Sequence, residues 1–251
     1  MNGLTTHHLE GVTVLRFDRA EKKNALTPEM LTALGERLQQ LRTVPPRAFV
    51  LSGHGESFCA GFDLSLCRDD DTALSSLLQN LSFCVRAMRA LPCPVVVSAH
   101  GAAIAGGCAL LGGSDFALTT HTAKLGYPVL TLGISPAVSA PFLRAAVGEG
   151  QARNRLLDTA LISGDHAVRI GLCHSAHADA ATCEQQAIVL AQHLASKPPH
   201  AIAATREWLN TVDDSLNAAH ADHALNASLS LANSPEQSSR LAAMWQAQSR
   251  K

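Results

Sequence analysis

Two glycine-containing stretches carry the strongest chemical signal in this sequence. The first, LSGHGESFCAGFDLS, spans residues 51–65, and the second, VSAHGAAIAGGCALL, spans residues 97–111. Each follows a predicted strand and is expected to open into a helix, where free backbone N–H groups point outward. Two such turns side by side would direct two amides at one point. That arrangement is an oxyanion hole, which binds a carbonyl oxygen as it gains negative charge.

The same glycines have two other interpretations. They could allow close packing of a helix against a strand, and a single glycine-rich turn would favour that interpretation. The presence of both turns favours the chemical one. A dinucleotide-binding fingerprint requires G-x-G-x-x-G after a first strand, and GAAIAGG at residues 101–107 lacks that spacing.

Composition narrows the class of protein. The chain has 251 residues, 47% of them hydrophobic, which suffices for one large core with a small appendage. The formal net charge of -1 gives no reason to expect a nucleic acid or an anionic membrane as partner. Seven cysteines without a CxxC pair, and a first segment unlike a signal peptide, predict a reduced, cytoplasmic setting. The apolar stretch at residues 94–113 contains Pro, Ser, His and several glycines, so we expect no membrane span.

Strands and helices are expected to alternate around these two stretches. GVTVLRF, AFVLSG and PVVVSA predict strands, and TPEMLTALGERLQQL predicts a helix with Thr27 as N-cap and Pro28 at its first position. From Ala137 onward the pattern is helical almost throughout, with a break at KPP, residues 197–199. The sequence therefore predicts an α/β core over residues 1–196 that holds the chemical site, and a C-terminal helical region over residues 197–251.

Five segments resemble one family, the crotonase or enoyl-CoA hydratase/isomerase superfamily. They are KKNALTPEM, LSGHGESFCAGFDL, PVVVSAHGAAIAGGCALLGGSDFAL, LGYPVLTLGISP and ISGDHAVRIGL, in family order and at family spacing. The resemblance implies a crotonase-like ββα superhelix with a C-terminal helical trimerisation region, assembled as a homotrimer or hexamer. It also implies an acyl-thioester of coenzyme A as ligand, with CoA entering as part of the substrate and no permanently bound cofactor.

The resemblance assigns residues as well. The amides of Phe62 and Gly106 occupy the two oxyanion positions, with Gly107 expected to give the thioester clearance. In KKNAL, the backbone of Ala25 and Leu26 occupies the family's adenine pocket.

Two further positions complete the CoA assignment. Ala60 lies where the family contacts the adenine from the other side. Lys22 or Lys23, with Lys23 preferred, would face the phosphates, and a solvated lysine beside a helix start is the alternative. The tail MWQAQSRK resembles a segment that reaches a neighbouring subunit's CoA, and a frayed terminus explains it equally well.

The proton-transferring acids of the family's hydratases are missing. Ala109 stands three residues past the oxyanion glycine, where the first glutamate belongs, and Val129 stands at the second position. Pro136 and Ala137 occupy a third position that isomerases use. Hydration by two carboxylates is therefore not expected, because apolar side chains cannot move protons.

Few other groups are candidates for proton transfer. Tyr127 precedes the vacant second position and could donate a proton, although structural packing is the alternative. Asp63 is expected to cap a helix, His100 to be a buried histidine bonded to backbone, and Cys108 to point into the core. The spacings in HSAHAD and HADH are not supported by further ligands, so no metal is expected.

Three functions remain on these grounds. The preferred one is a lyase or isomerase acting on an acyl-CoA, by decarboxylation or double-bond isomerisation. The second is an acyl-CoA-binding protein without catalysis. A peptidase of similar fold would need a nucleophilic serine at the oxyanion turn, where Gly106 stands, so this third class is disfavoured.

Overall fold

A six-stranded sheet forms the base of the molecule. The computed structural model describes residues 3–249. The strands are β1 (Leu4–Leu9), β2 (Val12–Phe17), β3 (Ala48–Gly53), β4 (Val95–Ala99), β5 (Ala102–Ile104), β6 (Phe116–Thr120), β7 (Lys124–Gly126), β8 (Ile162–Ser163) and β9 (Ser175–His177). The large sheet has the order β1-β2-β3-β4-β6-β9, in which β1 and β2 are antiparallel and the remaining pairs are parallel. A second sheet, β5-β7-β8, stands beside it.

Helices cover both faces of the large sheet. They are α1 (Pro28–Thr43), α2 (Ala73–Arg89), α3 (Gly106–Leu110), α4 (Ala140–Leu157), α5 (Gly164–Arg169), α6 (Ala180–Ala195), α7 (Pro199–Val212), α8 (Ala218–Leu229) and α9 (Pro235–Gln248). The Thr27 hydroxyl accepts a hydrogen bond from the Met30 N–H, so the predicted N-cap of α1 is confirmed. A non-helical residue, Gly148, interrupts α4.

The core divides between the two faces of the sheet. On one face, the leucines of α1 and α2 pack against Leu15, Phe49 and Leu51. On the other face, Val14 and Val50 pack against small residues of α6. Burying both faces of the parallel strands explains why β3 and β4 read as continuous apolar runs.

Strands β5, β8 and β9 were not predicted from the sequence. Strand β5 lies inside GAAI, where a direct turn into a helix was expected, and β8 and β9 interrupt a segment expected to be helical. These strands are two or three residues long, too short to show a period, and their pairing with β6 and β7 joins segments distant in the chain.

The last three helices follow the predicted break, since α7 begins at Pro199. Helix α8 packs on α2 and on the 3₁₀ turn Ala137–Ser139, and α9 packs on the 3₁₀ turn Pro128–Leu132. The division into a core and a helical region that assembles subunits stays a prediction. Within residues 3–249, no helix combines the length and apolar character that a membrane crossing requires.

Candidate active site

Phe62 is held in an extended segment between the KKNAL loop and β5. The Leu26 N–H donates to the Gly61 carbonyl at 2.7 Å, and the Leu26 carbonyl accepts from the Asp63 N–H at 2.9 Å. On the opposite side, Cys59 forms a parallel bridge with Ala103 of β5. Because successive backbone groups of an extended segment alternate in direction, the Phe62 N–H points away from Leu26, toward the side of β5.

Gly106 stands at the first position of α3, after a strained residue. Ala105, the N-cap, has φ 51° and ψ -110°, and its N–H donates to the Gly126 carbonyl at 2.8 Å. A non-glycine residue in such a conformation costs about 1–3 kcal/mol, and strain of this kind clusters at functional sites. As the first residue of the helix, Gly106 has an N–H without an intrahelical acceptor.

The two predicted oxyanion residues lie together. Neither the Phe62 N–H nor the Gly106 N–H has a backbone acceptor among residues 3–249. The Phe62 ring covers the Gly106 α-carbon, since a Cβ at Gly106 would lie 2.9 Å from Phe62 Cε1. Both residues line one cavity. Two residues whose backbone N–H groups lack a backbone acceptor among residues 3–249 thus line the same cavity.

Two details of the prediction are wrong. The first stretch does not open into an α-helix at Phe62, because a 3₁₀ turn at Leu66–Arg68 follows and α2 begins only at Ala73. Gly107 does not provide clearance for a ligand, because a Cβ there would lie 2.5 Å from the Cys59 carbonyl oxygen. Gly107 therefore serves the packing of α3 on the Cys59 segment, which is the structural interpretation of that glycine.

The cavity has a volume of about 130 Å³ and is largely apolar. No charged side chain lines it within the described part of the chain. The lining residues are Ala60, Phe62, Leu64, Leu78, Leu81, Ile104, Ala105, Gly106, Ala109, Tyr127, Pro128, Val129, Leu132, Ile134, Ser135, Pro136, Val138 and Ser139. Ala109, Val129 and Pro136, which are predicted to stand at the family's acid positions, line this cavity, and Ala137 is not among its lining residues.

Tyr127, Ser135 and Ser139 supply the side-chain hydroxyls of the cavity lining. Tyr127 is 3% exposed, with the Cys108 thiol and the Ser139 hydroxyl beside its own. Burial, and after it the neighbouring Cys108 thiol, raises the pKa of Tyr127 well above its ordinary value. Tyr127 is therefore a neutral phenol that can donate a proton or a hydrogen bond.

The other candidate groups point elsewhere. Asp63 accepts hydrogen bonds from the Ser65 hydroxyl and pairs with Arg19 at 2.7 Å, and it does not cap an α-helix. Partial burial by itself raises the pKa of Asp63, but the hydrogen bonds from Ser65 and Arg19 and the Arg19 charge outweigh it and lower the pKa. Asp63 is thus an ionised structural carboxylate outside the cavity lining.

His100 and Cys108 are buried, as predicted. His100 Nε2 lies 3.1 Å from the Gly55 carbonyl, and burial lowers the imidazole pKa, so the neutral ring donates Nε2–H to that carbonyl. Its Nδ1 has no partner among the described residues. Burial raises the pKa of Cys108 to about 11, so the thiolate is not populated near neutral pH.

Asn24 organises the KKNAL loop, and sequence reasoning missed it. Its Oδ1 accepts from the Arg19 N–H at 2.9 Å, and its Nδ2 donates to the His54 and Ser57 carbonyls at 2.9 and 2.8 Å. Asn24 is fully buried with φ 54°. An asparagine between two exposed lysines and an apolar helix start was the available signal, since asparagine tolerates the left-handed conformation better than most residues.

The four residues predicted to contact CoA lie along this loop and its neighbour. Lys23 is exposed, and its carbonyl accepts from the Ala60 N–H at 3.0 Å. The Ala25 carbonyl accepts from Arg19 at 3.0 Å. Leu26 is fully buried, and its N–H and carbonyl are hydrogen-bonded to Gly61 and Asp63. Its side chain therefore packs in the core beneath the loop. The CoA contacts of these residues stay predictions.

A larger groove of about 920 Å³ runs between α7 and the edge of the large sheet. It contains neither Phe62 nor Gly106. The nearly buried Arg206 crosses it to Asp115 at 2.8 Å and fastens α7 to β6. We interpret this groove as the seam between α7 and the core.

No group of three or more His, Cys, Asp or Glu side chains within residues 3–249 is arranged to hold a metal ion. His174 of HSAHAD accepts a hydrogen bond from the Ala117 N–H at 3.1 Å, which gives it a structural partner. The seven cysteines are all free thiols.

Residues 7–241 match the family described as enoyl-CoA hydratase/isomerase. The 1,2-epoxyphenylacetyl-CoA isomerase of Escherichia coli (strain K12) is 29% identical over 220 residues, covering 85% of this chain and 84% of its own. The enoyl-CoA isomerase/hydratase fer4 of Mycosarcoma maydis is 30% identical over 213 residues, covering 79% and 76%. A solved enoyl-CoA hydratase/isomerase from Mycobacterium paratuberculosis has the same fold, with a TM-score of 0.88, 23% identity and coverage of 96% and 98%.

Proposed function

The chain belongs to the enoyl-CoA hydratase/isomerase family, and we propose that it is an enzyme that polarises the thioester carbonyl of an acyl-CoA with the backbone N–H groups of Phe62 and Gly106. The observation that carries this proposal is that both amides lack a backbone acceptor among residues 3–249 and belong to residues lining one cavity. Donors aimed at an oxygen that gains charge in a water-poor site lower the barrier by about 3–4 kcal/mol each.

The thioester positions the rest of the ligand. With its oxygen between Phe62 and Gly106, the acyl group enters the apolar cavity and the CoA portion leaves past Ala60 toward the KKNAL loop. The exposed Lys23 ammonium then faces the CoA phosphates as a point charge. The backbone around Ala25 and Leu26 supports the adenine side. CoA arrives and leaves with the substrate, and no permanently bound cofactor is required.

Decarboxylation is the reaction that best fits the cavity. The bond between the α-carbon and a carboxylate breaks, its electron pair forms a thioester enolate, and CO₂ leaves. The two amides stabilise the enolate oxygen. A proton from the Tyr127 hydroxyl, returned to Tyr127 by solvent, then adds to the α-carbon. An apolar wall favours the loss of charge from the carboxylate, and no base is needed.

Isomerisation of a double bond is the second candidate, supported by the family description and by an isomerase among the relatives. It requires one group to remove a proton from carbon and return it elsewhere. Tyr127 is the single ionisable residue lining the cavity within the described part of the chain. Its raised pKa makes it an unfavourable base at neutral pH, so we rank decarboxylation first. Loss of catalysis with retained acyl-CoA binding is the alternative that the uncharged cavity supports.

A substrate panel tests the proposal. The purified protein is incubated with malonyl-CoA, a 3-enoyl-CoA and crotonyl-CoA, while CO₂ release, double-bond migration and hydration are followed. We expect turnover of malonyl-CoA or of the 3-enoyl-CoA. Tight binding of all three thioesters without turnover identifies the non-catalytic alternative. Absence of binding, measured by calorimetry, overturns the proposed function. A crystal soaked with a non-hydrolysable malonyl-CoA analogue would locate the thioester oxygen.

A further inference from the structure

The polar wall of the cavity is one continuous segment. Tyr127, Val129, Ser135, Val138 and Ser139 all lie in the stretch from the end of β7 to the start of α4, which we call the 127–139 wall. This wall contains two short 3₁₀ turns, Pro128–Leu132 and Ala137–Ser139, joined by residues 133–136, which belong to no helix or strand. Turns this short contain few hydrogen bonds of their own. What fixes its position therefore lies outside the segment.

Ser228, in the last turn of α8, forms two hydrogen bonds with the backbone of the 127–139 wall. Its hydroxyl donates to the Ser135 carbonyl at 3.0 Å and accepts from the Val138 N–H at 3.3 Å. Ser228 is 1% exposed. These two backbone groups have no other hydrogen-bond partner among residues 3–249. One buried hydroxyl thus satisfies a donor and an acceptor three residues apart, on the part of the wall that carries Ser139.

Helix α9 holds the other part of the wall. Gly133 ends the first 3₁₀ turn in a left-handed conformation with φ 69°, and a Cβ there would lie 2.8 Å from the Gln237 α-carbon. The backbone of α9 therefore rests directly on the turn that carries Val129. Gln237 is itself anchored, since its Oε1 accepts from the Asn233 N–H at 2.8 Å.

We propose that Ser228 is a positioning residue for the acyl cavity, and that it couples the docking of the C-terminal helices to acyl binding. The inference rests on the proposed function, because it assigns the acyl group to this cavity. When the Ser228 hydroxyl is absent, the Ser135 carbonyl and the Val138 N–H lose their partner, and the second turn is free to shift away from α8. The shape of the acyl cavity then changes, while the exposed CoA loop at Lys23, on a different element, does not.

Linkage makes the coupling reciprocal. If docked helices favour acyl binding, an acyl group in the cavity must favour docked helices by the same factor. Free CoA, which does not enter the cavity, has no such effect. Backbone amides of α8 are therefore expected to exchange hydrogen more slowly with an acyl-CoA than with CoA alone.

The test compares Ser228→Ala with Ser230→Ala in the full chain. Ser230 is exposed directly after the same helix, and its hydroxyl donates to the nearby Ala227 carbonyl at 3.0 Å and has no other partner among residues 3–249. Dissociation constants for butyryl-CoA and for free CoA are measured by calorimetry, and thermal unfolding checks the fold. Loss of two neutral hydrogen bonds is expected to weaken butyryl-CoA binding about tenfold in Ser228→Ala. Free CoA binding, and both affinities of Ser230→Ala, are expected to stay within about twofold of the unsubstituted protein.

Each outcome decides the proposal. Two results together support the proposal. Ser228→Ala loses affinity for butyryl-CoA but not for free CoA, and amide hydrogen exchange in α8 of the unsubstituted protein slows with butyryl-CoA but not with free CoA. Equal weakening of both ligands in Ser228→Ala, or unchanged affinity for both, overturns it. If the unsubstituted protein binds CoA and butyryl-CoA equally well, the cavity is not an acyl site and the proposed function fails instead.

Discussion

Ala109 on α3 and Val129 on the 3₁₀ turn after β7 border the same cavity from different elements. The resemblance to the family predicts that hydratases have a glutamate at each of these two positions. The structure thus brings two apolar side chains together around the cavity that Phe62 and Gly106 also line; that they replace the family's acids stays a prediction.

Hydration of crotonyl-CoA is expected to be absent or slower than about 1 per second, near the low end of ordinary enzyme rates. The double substitution Ala109→Glu with Val129→Glu is expected to create measurable hydration, followed by the loss of the conjugated-enoyl absorbance. Each single substitution serves as control, because the two-carboxylate mechanism assigns activation of water to one carboxylate and protonation of carbon to the other. Hydration by the unsubstituted protein faster than this limit would contradict the assignment.

The substitution Gly106→Val is expected to weaken acyl-CoA binding at least about tenfold. A Cβ at Gly106 lies 2.9 Å from the Phe62 ring, and the added methyls occupy the cavity mouth. Free CoA binding should fall much less. Gly107→Ala is the contrasting variant. Its Cβ would meet the Cys59 carbonyl at 2.5 Å, so we expect a lower melting temperature and equal effects on both ligands. If Gly107→Ala weakened the binding of acyl-CoA but not of free CoA, Gly107 would belong to the ligand site after all.

Removal of the Tyr127 hydroxyl by Tyr127→Phe is expected to lower kcat for the active substrate by about 100-fold, within the usual range for a lost proton donor. KM should change little, since the ring still fills its place. Because the pKa of Tyr127 lies well above its ordinary value, kcat of the unsubstituted enzyme should not fall from Tyr127 ionisation up to about pH 9. Ser139→Ala is the control for the loss of a neighbouring hydroxyl. Equal kcat in Tyr127→Phe and the unsubstituted enzyme would exclude the proton-donor role.

The Asp63–Arg19 pair gives a stability prediction with a defined pH dependence. The pKa of Asp63 is lower in the folded state than in the unfolded chain. The ionised carboxylate therefore stabilises the folded state fully at pH values above its unfolded pKa of about 3.9. This stabilisation is lost as the pH falls through the lower pKa of the folded state. Asp63→Asn should lower the free energy of unfolding by about 1 kcal/mol at neutral pH, allowing for solvent screening. Urea unfolding should show the difference disappearing below about pH 3. A constant difference at all pH values would show that charge is not its cause.

Association is expected from the exposed apolar side chains of α7. Trp208, Leu209 and Val212 are 67%, 56% and 65% exposed in the single chain. Covering them between subunits would release this surface from water. We expect light scattering to give the mass of a trimer or hexamer at micromolar concentration. Trp208→Glu should shift the distribution toward smaller species, with the exposed Val44→Glu on α1's end as control. A stable monomer of the unsubstituted protein would contradict this prediction.

Much of the site's chemistry followed from the sequence because it depends on residue type. The order of the family segments identified the fold, the two glycine-rich stretches pointed to Phe62 and Gly106, and the apolar residues at 109, 129 and 136 predict which proton transfers are missing. Strands β3 and β4 were predictable because they are continuous apolar runs, and helix α1 was predictable because it begins with a capping threonine followed by proline.

What the sequence by itself determined is therefore which groups are present: the backbone amides of Phe62 and Gly106, one tyrosine, and no carboxylate at positions 109, 129 and 136. Only the tertiary structure decided what each group faces. It assigned Gly107 to Cys59, Asp63 to Arg19 and Ser228 to the wall of the cavity, and it paired strands of two or three residues into a second sheet. The physical reason is that these contacts join segments far apart in the chain, so no local pattern records them, and they form only when the whole core closes.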